Sequence, residues 1–370
     1  MSTRANKKDD WFASLIKRIL MLVCAGLLVL SYLSMYVNPA KAWYMTIFGL
    51  MFVPLCLVNV FLLIWALLRR SWTAVLPLLA LLPAFFSLDN FVRFRGFDSE
   101  GPTNTANGKN IKIISYNVGR FSMITGHKNW ESCADSVMDM LKSREADIIC
   151  LQEVYHDNSD ELRKYLKRRF KGYDIQYFLN INSWSCAGNV IISRYPSKRK
   201  GKIDFKNSAN MAMWSDYNIG GKKVRIYNCH LQSYAISLPR IAESFGKDYK
   251  SAVRDTEEKV KQSIMLRPNQ VGVILSHIGR CSSDVIITGD FNDTPMSYTY
   301  HKLIKGRKDS FVEAGHGTGG TFYCLGPFLR IDYVLYPPEF EAIDHRVLRR
   351  KFSDHYPIET VLRISQVERK

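Results

Sequence analysis

Three uncharged apolar runs fill most of the first 88 residues, and no single globular core accounts for them. Ile19–Val37 carries no charge for 19 residues, Ala42–Leu68 for 27, and Trp72–Leu88 for 17. A membrane span needs about 20 apolar residues. The first two runs are therefore predicted to cross a bilayer, because core helices seldom stay apolar all round. The third is short and holds Pro77 and Pro83; it fits a span or a re-entrant or interfacial hairpin. Trp43, Tyr44, Trp65 and Trp72 stand near the run ends, where interfacial aromatics collect.

Positive charge orients these runs. Arg4, Lys7, Lys8, Lys17 and Arg18 precede the first, Lys41 alone follows it, and Arg69 and Arg70 follow the second. This places the N-terminus and the second loop in the cytoplasm and the rest of the chain outside. Arg93 and Arg95 weigh mildly against that topology. Ala40-Lys41-Ala42 also fits a signal cleavage site, although the preceding run is long for a signal peptide. The chain is thus expected to be an integral membrane protein. Its regions are a membrane part over 1–92, a linker over 93–110 and an extracytoplasmic domain over 111–370. None of the three runs holds an ionisable residue apart from cysteine and tyrosine, which argues against transport through them.

The 370-residue chain has a net charge of +17. Residues 93–370 hold 43 Lys and Arg against 31 Asp and Glu, a net of +12. Such a surface suits polyanions, nucleic acid or anionic head groups, or is simply well solvated. No CxxC pair occurs, so a zinc site is not indicated. Cys150, Cys186 and Cys229 sit in or beside apolar runs, where free buried thiols are common.

Strands are predicted at Ile111–Asn117, Ile148–Leu151, Asn189–Ser193, Val224–Leu231, Val285–Thr288, Arg330–Tyr336 and Ile358–Ile364. Helices are predicted at Trp130–Arg144, Glu161–Phe170 and 250–279. Strands and helices that mix without strict alternation point to an α/β sandwich. Polar residues repeatedly close the apolar strands: Asn117, Glu153, His230, Asp290, Asp332 and Asp354. Sites are built this way, on loops held by a rigid scaffold.

Each residue type suggests a task. Glu153 follows a buried strand, where a carboxylate is costly unless paired or metal-bound; it reads as the best single Mg²⁺ ligand, with other acids acting through water. Asp290 and Asn292 present a carboxylate and an amide to one small volume in Thr288-Gly289-Asp290-Phe291-Asn292-Asp293. His355 is a candidate base or transition-state stabiliser, and Asp332 a carboxylate able to accept its ring N–H. His230 suits a phosphate oxygen or a leaving group. Asn117 suits a phosphate oxygen or the metal.

These residues sit in an ordered series: SYN at 115–117, LQEV at 151–154, GNVIISRYP at 188–196, NCHL at 228–231, GDFND at 289–293, RIDYV at 330–334 and SDHYP at 353–357. The series resembles the endonuclease/exonuclease/phosphatase superfamily over about residues 111–364. The resemblance implies a four-layer α/β/β/α sandwich and Mg²⁺-dependent phosphoester hydrolysis, with Mn²⁺ as the alternative ion. It implies Glu153, Asp354 and Asn117 at the metal, and His230, Asp290, Asn292, Asp332 and His355 in catalysis. Asn117, Asn292 and His230 would also bind substrate. No second acid is evident as a partner for His230. The expected partners are a phosphoester substrate and the lipid bilayer, with nucleic acid, lipid head groups and small phosphoesters all open as substrates. The rival reading is a catalytically idle membrane binding protein that keeps the fold. Residues 232–255, with Ile236, Leu238, Ile241 and Phe245, form a lid, a lipid-facing hairpin or ordinary packing. The oligomeric state has no sequence signal.

Overall fold

The computed structural model describes residues 2–94, 108–122, 129–206, 208–234, 249–323 and 326–365. Most of the expected linker, the segment 235–248 and Cys324 lie outside these residues. The other seven cysteines are free.

The N-terminal region comprises α1 (Ser2–Leu33), α2 (Met45–Leu50), α3 (Phe52–Leu68) and α4 (Val75–Phe85). Within α1, Ser14–Leu33 has a mean hydropathy of 2.0 and is the one described helix long and apolar enough to cross a membrane. The 27-residue apolar run is not one helix. Met51 leaves helical geometry (φ −83°, ψ 6°) and splits it into α2 and α3. The third run starts with a tight turn at Trp72–Ala74 and carries Pro83 inside its helix. Among the described residues, most of the exposed large apolar side chains fall between Leu15 and Leu88. The helices meet through Met21, Leu62, Ala66 and Ala74 at one end, and through Ala25, Leu28, Phe52, Ala80 and Ala84 at the other.

A short strand, β1 (Val92–Arg93), leads into the second region. There β2 (Gly108–Asn117), α5 (Trp130–Ser143), β3 (Ile148–His156), α6 (Ser159–Arg169), β4 (Asp174–Ile181) and β5 (Cys186–Ser193) follow. Next come β6 (Arg199–Asp204), β7 (Met211–Ile219), β8 (Lys222–His230), α7 (Tyr249–Ile278), β9 (Asp284–Asp290) and α8 (Tyr298–Ile304). The chain closes with β10 (Lys308–Asp309), α9 (Ser310–Ala314), β11 (Gly317–Thr318), β12 (Asp332–Tyr336), β13 (Phe340–Val347) and β14 (Ile358–Ser365). One six-stranded sheet runs β13-β14-β2-β3-β5-β4 and the other β10-β12-β9-β8-β7-β6.

Side-chain alternation along the strands builds the layers, because successive residues face opposite sides. Ile111, Ile113, Ile148, Cys150, Ile191, Ile226 and Ile286 fill the space between the sheets. Ile114, Tyr116, Ile149, Leu151, Val190 and Ile192 point the other way, onto α5 and α6. Tyr227, Cys229, Val285 and Ile287 face α7 and α8. The result is the four-layer α/β/β/α sandwich expected. Side-chain caps start its helices: Asn129 accepts from Ser132 N at 2.9 Å, and Asn158 from Asp160 N at 2.8 Å.

Candidate active site

Parallel pairing brings the ends of β2, β8 and β9 beside the middle of β3, which runs on through Glu153 to His156 where the sequence reading ended it at Leu151. β2 and β3 pair Asn117 with Gln152, and β8 and β9 pair His230 with Asp290. β12 runs antiparallel to β9, so Asp332 stands opposite Asp290. These polar residues therefore meet at one end of the sandwich, across both sheets.

Asn117 joins the two sheets. Its Nδ2 donates to Glu153 Oε1 at 3.1 Å and to Asp290 Oδ2 at 3.0 Å. His230 Nε2 lies 3.4 Å from Glu153 Oε1 and 3.8 Å from Asp290 Oδ2. His355 Nδ1 lies 2.9 Å from Asp332 Oδ2, and its Nε2 is 3.6 Å from Asp290 Oδ2. Asn292 grips Asp290 twice, through N to Oδ1 at 2.8 Å and Nδ2 to Oδ2 at 3.1 Å, while Nδ2 also reaches Leu231 O at 3.0 Å. Asp354 stands beside this chain of contacts, its Oδ1 accepting from Ser353 Oγ at 3.0 Å.

Strained backbone sets two of these side chains. Glu153 has φ 53° and sits where the β3–β5 register slips between Leu151 and Val154; Asn292 has φ 50°. Non-glycine residues in this region cluster at functional sites, where the surroundings hold them. Gly289 has φ 128°, and a Cβ there would stand 1.9 Å from Cys229 O on the neighbouring strand. The glycine before Asp290 thus serves close approach between β8 and β9 within the strand.

Burial and charge act together here. Asp290 is fully buried, which pushes its carboxyl up to about 6 against the pull of His355 and His230. Burial disfavours a charged His355, but Asp332 and Asp290 outweigh it and hold the imidazole well above its ordinary value. Burial likewise opposes charge on Glu153, yet His230 and Asn117 bring it below the usual range. Glu153 is the most open acid of the contact chain, its side chain 31% exposed against 1% for Asp290 and Asp332. His230 Nε2 and Asp332 Oδ1 are buried without a hydrogen-bond partner among the described residues.

A family model for the endonuclease/exonuclease/phosphatase family matches residues 114–355, the span that holds every residue of this cluster. The chain belongs to this family. A second model, described as a domain of unknown function, matches residues 13–91. No curated protein matches the chain. Among solved structures, an endonuclease/exonuclease/phosphatase from Beutenbergia cavernae is 16% identical with a TM-score of 0.51, over 69% of this chain and 72% of that one. The endonuclease/exonuclease/phosphatase from Bacteroides vulgatus is 17% identical with a TM-score of 0.51, over 69% and 99%. A family protein from Bacteroides thetaiotaomicron is 18% identical with a TM-score of 0.50, over 70% and 99%. At these identities the likeness establishes the fold. Members of the endonuclease/exonuclease/phosphatase family hydrolyse phosphoesters and typically use a divalent metal.

Three supports of this family member's site escaped the sequence reading. Arg267 on α7 is buried; its Nη1 donates to Asn292 O at 2.5 Å and to Gln232 O at 3.2 Å, and its Nε lies 3.5 Å from Asp293 Oδ2. Gln152, Asn189 and Asn228 form an amide layer under the site. Gln152 Nε2 donates to Asn228 Oδ1 at 2.7 Å, and Asn189 Nδ2 donates to Asn228 O at 3.2 Å, stitching one sheet to the other. Arg330 is buried against Asp309 at 2.7 Å and stacks over Tyr333 and Phe311. Gln152, Asn189, Asn228 and Arg330 lay inside the recognised motifs; Arg267 follows an ordinary charged helical stretch, with no local mark.

Proposed function

We propose that the protein is a divalent-metal-dependent phosphoester hydrolase, anchored in a membrane with its catalytic domain on the outer side. The contact chain Asn117–Glu153–Asp290–His355–Asp332 at the mouth of both sheets carries this reading. Its donors suit a hard ion: carboxylates and an amide, with Asp332 Oδ1 unpartnered among the described residues. His355, poised between Asp332 and Asp290, compensates those two acids. That leaves Glu153, the open one, with Asn117 beside it, to hold Mg²⁺ or Mn²⁺; Asp354 would assist through water. The bound ion would polarise the phosphoryl group and offset its charge.

The protein's own groups divide the remaining work. Asp290, gripped by Asn117 and Asn292, is aimed to take a proton from water. The amide of Asn292 already serves Asp290 and Leu231 O, which makes it a positioning residue for Asp290. The imidazolium of His355, oriented by Asp332, presents Nε2 toward the same volume and would stabilise charge on the phosphoryl oxygens or protonate the leaving group. His230 Nε2, 3.4 Å from Glu153 Oε1 and with no hydrogen-bond partner among the described residues, would meet a phosphoryl oxygen.

Two features support the anchor over 1–92. The helices keep their apolar side chains outward. Their far end is basic: Lys17 stacks over Trp65 at 4.9 Å and Arg18 over Trp72 at 5.7 Å, beside Arg69 and Arg70. A basic end favours the cytoplasm, which puts residues 111–370 outside. The test is hydrolysis of methyl 4-nitrophenyl phosphate by the full chain with Mg²⁺. Glu153→Gln should abolish turnover while the thermal transition stays in place; equal turnover in the two proteins would refute the reading.

A further inference from the structure

The outer ends of the helices are built into the catalytic domain. Met296, six residues after Asp290, is fully buried among Ala25, Leu28, Phe52, Ala80 and Ala84. Its carbonyl accepts from Ser34 Oγ at 2.7 Å. Arg330, two residues before Asp332, donates from Nε to Asn90 O at 2.9 Å. Gly319 N donates to Phe91 O at 2.8 Å, and the Tyr36 ring meets His301 edge-on at 4.8 Å.

An extended residue covers at most about 3.6 Å, so Asp332 lies within about 7 Å of Arg330 and Asp290 within about 22 Å of Met296. Asn90 and Phe91 follow α4 by a few residues. Short links of chain and side chain therefore tie the catalytic cluster to the outer ends of the helices.

The opposite side of the mouth carries exposed apolar side chains. β5 runs past Glu153, pairing Gly188, Ala187 and Cys186 with Val154, Tyr155 and His156. The β4–β5 tip thus projects beyond the site from the sheet edge farthest from β13. It exposes Trp184 at 85% and Ile181 at 59%. The helices dock on the other flank, through the β9–α8 loop and the residue before Ile331. The mouth lies between the two.

We propose that the substrate is a phosphoester carried by a lipid of the leaflet in which the helices end, delivered to the site from the bilayer and not from bulk water. The Trp184 tip rests on the same leaflet. This rests on the anchored-hydrolase reading above. In the reaction water forms the new P–O bond, the P–O bond to the leaving alcohol breaks, and the proton lost by the water ends on that alcohol.

Two probes with one reacting centre test the idea. Hexadecyl 4-nitrophenyl phosphate is embedded in phosphatidylcholine vesicles that hold the full chain; methyl 4-nitrophenyl phosphate is supplied in the surrounding water. Confinement beside the site raises effective concentration, so at equal total concentration the embedded ester should be cleaved at least about tenfold faster. That rate should fall as phosphatidylcholine dilutes the ester, and vanish when ester and protein occupy separate vesicles. Trp184→Ser should lower the embedded-to-methyl ratio, and Glu153→Gln should stop both reactions. A methyl ester cleaved as fast as the embedded one overturns the lipid inference and leaves the hydrolase reading standing. Cleavage of neither ester overturns both.

Discussion

Replacing Gly49 with alanine loads the contact between the N-terminal helices and the loop that follows β9 in the candidate site. A Cβ at Gly49 would stand 2.3 Å from Met296 O and 2.5 Å from Ser34 Oγ, whereas ordinary contact begins at 3.4 Å. The carbonyl belongs to backbone, so the Met296 segment must retreat by about 1 Å, and the same loop holds Asn292 and through it Asp290. Misplacing catalytic groups by about 1 Å from a distance can lower turnover about 100-fold. Overpacking of this size costs about 1–3 kcal/mol, which shifts the thermal transition and leaves a folded protein. The assay is kcat and KM for methyl 4-nitrophenyl phosphate in vesicles, beside a thermal melt. The expected result is a large loss in kcat with KM little changed, because the displaced groups act on the reacting atoms. A wild-type kcat in a variant with a lowered melting temperature would refute the argument: the helices would then be absorbing the strain without passing it to the loop.

Other substitutions probe separate parts of the account. Gly289→Ala forces a Cβ to within 1.9 Å of Cys229 O at φ 128° and should destabilise the fold by about 3 kcal/mol or more, measured by denaturant titration. Asp332→Asn removes the negative charge that holds His355 protonated and lets the amide present N–H or O to Nδ1, so it should lower kcat about 100-fold or more with the melting temperature nearly unchanged; steady-state kinetics and a melt decide it. His345 is buried between Ser310 and Thr360, and burial pushes it down from 6.5 to about 3. The unfolded chain takes up this proton first, so stability falls as pH drops below 6.5 and goes on falling toward 3. The loss reaches about 2 kcal/mol at pH 5. His345→Gln should flatten that slope in melts recorded between pH 4 and pH 7, in the range of about one such group.

The parts of the fold that were legible in the sequence are those where one strand carries one clear pattern. Ile111–Tyr116 and Ile148–Leu151 alternate between two apolar layers, and a polar residue closing each marks the site end. The strands that went unread carry polar residues inward or charges outward. In β7, Ser215 and Asp216 look like surface, yet Asp216 is buried because Arg225 pairs with it at 2.5 Å. β6 is an edge strand whose outward Arg199, Lys200 and Lys202 read as loop, and charged edges of this kind discourage unwanted pairing. β13 holds Glu341, Asp344 and Arg346, with a register shift between Ala342 and Asp344. The break at Met51 has no local mark in the apolar run, and Gly49 beside it packs against Met296, 247 positions away in sequence, a contact that no local pattern records. Arg267 was missed likewise, since its role comes from the loop above it and not from its own helix.

The central claim is that an ion held at Glu153 drives phosphoester hydrolysis in this protein. The most direct measurement follows Mg²⁺ binding to the full chain by calorimetry and 4-nitrophenol release at the same Mg²⁺ concentrations, for the wild type and Glu153→Gln. The account predicts that turnover tracks Mg²⁺ occupancy, disappears on chelation, and is lost in the variant together with the binding isotherm. Turnover that persists under chelation, or a variant that binds Mg²⁺ and turns over like the wild type, would contradict it.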